Sequence, residues 1–166
     1  MALLVLIPLS TFLVILQTAV LPFFALLDGR ADLVLLLVVG WALTGRLEQA
    51  MILGLVSGML LDLLSGLPLG ISSIALIAAA NVTSVAQGRL WRAHTFAALG
   101  TVLLATAVYY AVLGLTAVLV HPGTDLVMAA AQIVFPAALL NLLLAIPAVQ
   151  ITGSLERSLY PPKVAL

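Results

Sequence analysis

Gly54-Leu55-Val56-Ser57-Gly58-Met59-Leu60-Leu61-Asp62-Leu63-Leu64-Ser65-Gly66-Leu67-Pro68-Leu69-Gly70 sets a single carboxylate inside an apolar run and closes the run with a glycine- and proline-rich turn. At about 100° per residue, Ala50, Gly54, Ser57, Gly58, Asp62 and Ser65 share a helical sector roughly 140° wide, a small, polar-edged face backed by Leu and Met. A face of this kind suits close approach by another helix. Gly54-x-x-x-Gly58 removes the side chains that would hold two backbones apart, within one chain or between two. Gly66, Pro68 and Gly70 are expected to set how the following segment returns.

The rest of the chain says where this helix lives. Of 166 residues, 64% are hydrophobic and only 7% charged, with a mean hydropathy of +1.33. Soluble proteins carry about 25% charge, so the expectation is an all-α integral membrane protein, residues 1–166 forming a single polytopic domain. Zero net charge without a basic run argues against a nucleic-acid partner. The absence of cysteine removes thiolate chemistry, disulfides and sulfur-ligated metals.

Outward from Asp62, six apolar segments are expected. The first, about residues 2–24, has no basic leader and is too long for a signal peptide, so it is expected to be a retained span. Asp28-Gly29-Arg30-Ala31-Asp32 is expected to be a solvated turn, with Asp32 capping the next helix. Segments two, about 33–44, and three, before Asp62, are each apolar for only about a dozen residues, short for a crossing. Segment four runs from about 70 to 88, and its Ser73, Ala80, Asn81, Ser84 and Gly88 share a face suited to segment three. Segment five covers about 95–120. Segment six, about 126–155, should kink or break at Pro136 and Pro147.

With six crossings and a cytoplasmic N-terminus, Arg46, Arg89, Arg92, Arg157 and Lys163 fall inside and only Arg30 outside. That asymmetry predicts both termini in the cytoplasm. Asp62 and the turn after it then face the outer side.

No nucleophile and base pair, paired carboxylates, phosphate-binding glycine loop or metal-ligand spacing is found, so neither an enzyme nor a cofactor is expected. Asp62 lies close enough to a helix end to reach water or cap a neighbouring helix, and a lone carboxylate makes a poor proton relay. His94 and His121 fall on opposite sides and cannot share a metal. Asn81 is expected to donate a hydrogen bond between helices. Tyr109 and Tyr110 point in different directions, so at most one should line a cavity. No internal repeat of the transporter type is visible.

The run from Gly45-Arg46-Leu47-Glu48 through Gly54-x-x-x-Gly58 to Asp62-Leu63-Leu64-Ser65-Gly66-Leu67-Pro68-Leu69-Gly70 resembles the signature region of the rod shape-determining protein MreD family. Length, segment count and the Asp32-Leu33 start of segment two are similar to that family too; Ala31 stands where its members often have Pro. The resemblance implies a component of the bacterial cytoplasmic membrane, in the cell-elongation machinery that regulates peptidoglycan synthesis and cell shape. Its implied partner is MreC, with one span and a periplasmic domain, and through MreC the chain would connect to MreB filaments, RodA and a class B penicillin-binding protein. The family also implies a fold similar to the S component of energy-coupling factor transporters. That likeness frames the competing expectation, a binding protein for a vitamin-like solute, for which Asp62, Ser65, Ser72, Ser73 and one tyrosine form a thin set of outer-side polar groups. A self-assembling channel is disfavoured because no helix carries a polar face long enough to line a pore.

Overall fold

The computed structural model describes residues 2–21, 30–66, 68–90, 95–120, 123 and 125–161. Outside them lie the exit of segment one through Phe24, the Asp28-Gly29 part of the first turn, Leu67, the Trp91, Arg92 and His94 loop, His121 and Lys163. Regular structure among the described residues is helical: α1 (Ala2–Ala19), α2 (Leu33–Ala42), α3 (Leu47–Ser65), α4 (Ile71–Leu90), α5 (Thr95–Val120), α6 (Leu126–Ala129), a π-helical turn (Ala130–Val134) and α7 (Phe135–Leu159). The last three elements form one continuous helix of 34 residues, Leu126–Leu159.

This is an all-α membrane protein. Among the described residues, four helices are long and apolar enough to cross a membrane: α1, α3, α5 and the composite α6–α7 helix. The apolar stretches Leu33–Ala42 and Ile71–Gln87 are shorter.

A short helix lies at the centre. α2 packs against α1, α3, α4, α5 and α7, and every residue from Val34 to Ala42 is buried. An all-round apolar helix is what such a position demands, since no face of it meets water. At about 1.5 Å per residue it is only about 15 Å long, half of a bilayer's hydrocarbon thickness. Protein rather than lipid surrounds it, so its length need not match the bilayer. Its non-helical entry at Ala31 and Asp32 is likewise buried, the setting in which irregular backbone is tolerated at membrane depth.

The surrounding helices show narrower stripes. In α1 the buried residues are Ala2, Leu6, Ser10 and Val14, one every fourth position, while Leu4 and Phe12 face outward. In α5 the buried stripe is Ala98, Thr101, Val102, Ala105, Thr106 and Tyr109. α2 and α7 approach closely at one glycine: a methyl group at Gly40 would lie 2.6 Å from the Thr152 hydroxyl.

The expected disruption near Pro136 is a widened turn rather than a break. The Phe135 N–H bonds the Ala130 carbonyl, five residues back. Pro136 has no N–H to offer the carbonyl of Gln132, and its ring would crowd that carbonyl in a regular helix; the wider π turn just before it relieves both. At Pro147 the helix continues unbroken.

At the opposite end of the bundle, Arg46 bonds Glu156 through Nε at 3.0 Å and Nη2 at 2.8 Å, with its guanidinium 3.3 Å from the centroid of the Tyr160 ring. Gln49 accepts from the Trp41 indole at 3.1 Å and donates to the Tyr160 hydroxyl at 2.8 Å. These contacts tie the α2–α3 corner to the end of α7.

Candidate functional site

Asp62 lies on the last turn of α3 and is fully buried. Its Oδ2 accepts from the Gly70 N–H at 2.7 Å, and its Oδ1 from the Ser72 N–H at 3.1 Å. The first N–H groups of a helix have no partner within it and carry partial positive charge, so the carboxylate caps α4 from across the turn. Gly66 ends α3 at φ 69° and Gly70 precedes α4 at φ 99°, left-handed conformations that glycine adopts without a Cβ clash. These two glycines aim the return so that α4 presents its start to Asp62. Of the two roles expected for Asp62, the structure shows the capping one; its carboxylate does not reach the surface.

Gly54 and Gly58 face α4. A methyl group at Gly58 would fall on the backbone of Ser73, and one at Gly54 would sit 3.3 Å from Leu76 Cβ. Across the same seam the Ser73 hydroxyl donates to the Leu55 carbonyl at 3.0 Å. Ser57 is buried and returns its hydroxyl to the Leu53 carbonyl of its own helix. Ser65 leaves this seam: it is exposed and lines a polar chamber, while Gly66 and Pro68 line an apolar groove beside it.

The largest departure from the sequence-based expectations is Asp32. It is buried instead of solvated, and its side chain makes no cap bond to α2. The Gln17 amide oxygen takes that role, accepting from the Val34 N–H at 3.1 Å. Asp32 Oδ1 accepts from Gln17 Nε2 at 3.3 Å, and Oδ2 from the Tyr110 hydroxyl at 2.7 Å and Asn141 Nδ2 at 3.2 Å. Asn141 also accepts from the Asp32 backbone N–H at 2.7 Å. One carboxylate thus links α1, α5 and α7 to the start of α2. The physical reason is depth: a ten-residue α2 begins inside the bundle, where a carboxylate is tolerated only with donors around it.

Asn81 does not bond between helices; its amide donates to the Ile77 carbonyl one turn back at 2.8 Å. Gln17 and Asn141 are amides that do bond between helices, neither singled out from sequence as a link, although an uncharged amide inside a long apolar run was the available signal. Tyr109 and Tyr110 both line the polar chamber, packed edge to face with centroids 5.3 Å apart, so adjacent residues on α5 serve one cavity after all.

That chamber, about 270 Å³, is walled by Gln17, Arg30, Asp32, Ser72 and the two tyrosines among others. No group of three or more His, Cys, Asp or Glu able to hold a metal occurs among the described residues. The arrangement can hold helices in register and offers hydrogen-bonding groups to a small ligand.

Comparison with known proteins gives one match. No curated protein and no solved structure matched the chain. The model of the family described as rod shape-determining protein MreD matches residues 1–156. Nearly the whole helical bundle, from α1 into the last turns of α7, falls within that match, and the chain belongs to the rod shape-determining protein MreD family.

Proposed function

We propose that the chain is a non-enzymatic scaffold of the bacterial cell-elongation complex, which holds MreC in the cytoplasmic membrane and supports regulation of peptidoglycan synthesis. The observation that carries this reading is the family match over residues 1–156. The membership itself places the chain among the shape-determining components of the rod complex. MreB, RodA and a class B penicillin-binding protein are reached through MreC in this account, and both termini lie in the cytoplasm.

The two buried carboxylates fit a scaffold. Asp32 and Asp62 are each engaged by protein donors that join helices, which holds the bundle together. Depletion in the native bacterium tests the role: rod-shaped cells should become round while membrane integrity is kept, and re-expression of the chain should restore rods. Unchanged shape after verified depletion contradicts it.

A second reading, a solute-binding protein of the S-component type, gains support from the polar chamber, which adds Gln17, Arg30 and Asp32 to the groups legible in the sequence. Equilibrium dialysis against labelled vitamins separates it from the first.

A further inference from the structure

The polar chamber has an apolar neighbour. Tyr110, Leu113 and Ile133 line both it and a second space of about 500 Å³, so the two lie side by side. The second space is apolar, bounded by Pro68, Ile71, Ala117, Val120 and Val134 among others. Its Val120 wall is exposed. Together the two offer adjoining polar and apolar surfaces, polar at the Asp32 end and apolar toward the end of α5.

The polar part carries both signs. Arg30 and Asp32 line it together yet form no ion pair with each other. Among the described residues Asp32 Oδ1 takes a single donor, from Gln17, where Oδ2 takes two. A carboxylate has about four acceptor positions in all, so Oδ1 keeps capacity for another. Arg30 brings a fork of five donors suited to phosphate. A simple anion would meet the charge of Asp32 and a simple cation that of Arg30. A head group carrying both charges satisfies both.

We propose that this site binds one zwitterionic phospholipid, its phosphate at Arg30, its ammonium at Asp32 and an acyl chain along the apolar groove. Size favours a lipid over a partner's helix. One turn of helix about 10 Å across and 5.4 Å long fills about 400 Å³, so the groove would admit little more than a single turn. It lies instead within the range of about 300 to 1,000 Å³ usual for small-molecule sites. The inference does not rest on MreC binding and holds or fails separately from it.

Native mass spectrometry of the full-length protein, delipidated and titrated with defined probes, tests it. Phosphatidylethanolamine should be retained about tenfold more tightly than phosphatidylglycerol, a difference of about 1.4 kcal/mol. Glycerophosphoethanolamine, the head without tails, and diacylglycerol, the tails without head, should both be lost at the same concentration. Arg30→Gln and the groove-filling Leu113→Trp should each weaken phosphatidylethanolamine retention about tenfold at an unchanged lipid-free melting temperature. If Leu113→Trp lowers that temperature, Arg30→Gln alone decides. Equal retention of the two phospholipids, retention of the bare head group, or a photocrosslinker at position 117 that captures polypeptide from native membranes instead of lipid would each overturn the proposal.

Discussion

Asn141 holds Asp32 twice, accepting from its backbone N–H at 2.7 Å and donating to its carboxylate at 3.2 Å. One amide near the middle of the 34-residue composite helix thereby fixes the start of the central α2. The carboxylate's remaining donors, Tyr110 at 2.7 Å and Gln17 at 3.3 Å, come from two other helices. A buried aspartate in a membrane helix costs about 2.5 to 3.5 kcal/mol on insertion scales, and hydrogen bonds to a charged group return about 1.5 to 3 kcal/mol each. Three such bonds are enough to offset the burial.

Asn141→Ala should therefore destabilise the protein by about 1 to 3 kcal/mol, because it leaves the Asp32 N–H and part of the carboxylate without partners. Asn81→Ala, which removes a bond within a single helix, should stay within about 0.5 kcal/mol of the parent. Reversible unfolding in mixed micelles measures both. Equal effects from the two would remove the special role given to Asn141.

Gly58→Ala should cost about 1 to 3 kcal/mol, since even a methyl group meets the Ser73 backbone, which cannot yield as a flexible side chain would. On α5, a methyl group at Gly100 would meet nothing within 4 Å, and Gly100→Ala should be close to neutral, within about 0.5 kcal/mol. A Gly58→Ala protein as stable as the parent would show that the α3–α4 seam is looser than described.

Asp62→Asn keeps one oxygen acceptor and should cost about 0.5 to 2 kcal/mol, the scale of losing a helix cap, without abolishing any flux, because both carboxylate oxygens of Asp62 are engaged at the start of α4. A pH-dependent solute or proton flux in proteoliposomes that vanishes in Asp62→Asn would contradict a purely structural role.

The proposed orientation follows from the placement of Lys and Arg and is checked with single cysteines, which the native chain lacks. A membrane-impermeant thiol reagent applied to intact cells should label Leu67→Cys or Gly123→Cys and leave Trp91→Cys and Lys163→Cys unlabelled. Labelling at position 91 would reverse the topology.

Much of the bundle was legible because apolar runs end where turns and charges begin. The segment expected over 95–120 is α5, Thr95–Val120, and the run through Asp62 is α3, closing at Ser65. Depth was harder to read. Asp32 sits beside Arg30 in a charged stretch, and local composition there is that of a surface turn. The sign of burial was the shortness of the segment after it, since a helix of about a dozen residues cannot begin and end at both surfaces. Which amide bonds its own helix and which reaches across is decided by packing, so Asn81 and Asn141 look alike in sequence. The seam at Gly40 and Thr152 was hidden for the same reason: a lone glycine in an apolar run carries no record of the helix that packs on it.

Whether the chain is a scaffold holding MreC is decided by quantitative co-purification from native membranes. Tagged chain, solubilised in mild detergent at native expression, should retain MreC at a fixed stoichiometry that survives washing, while an unrelated tagged membrane protein of similar abundance retains none. Loss of MreC from a chain whose melting temperature shows it to be folded would rule the scaffold role out.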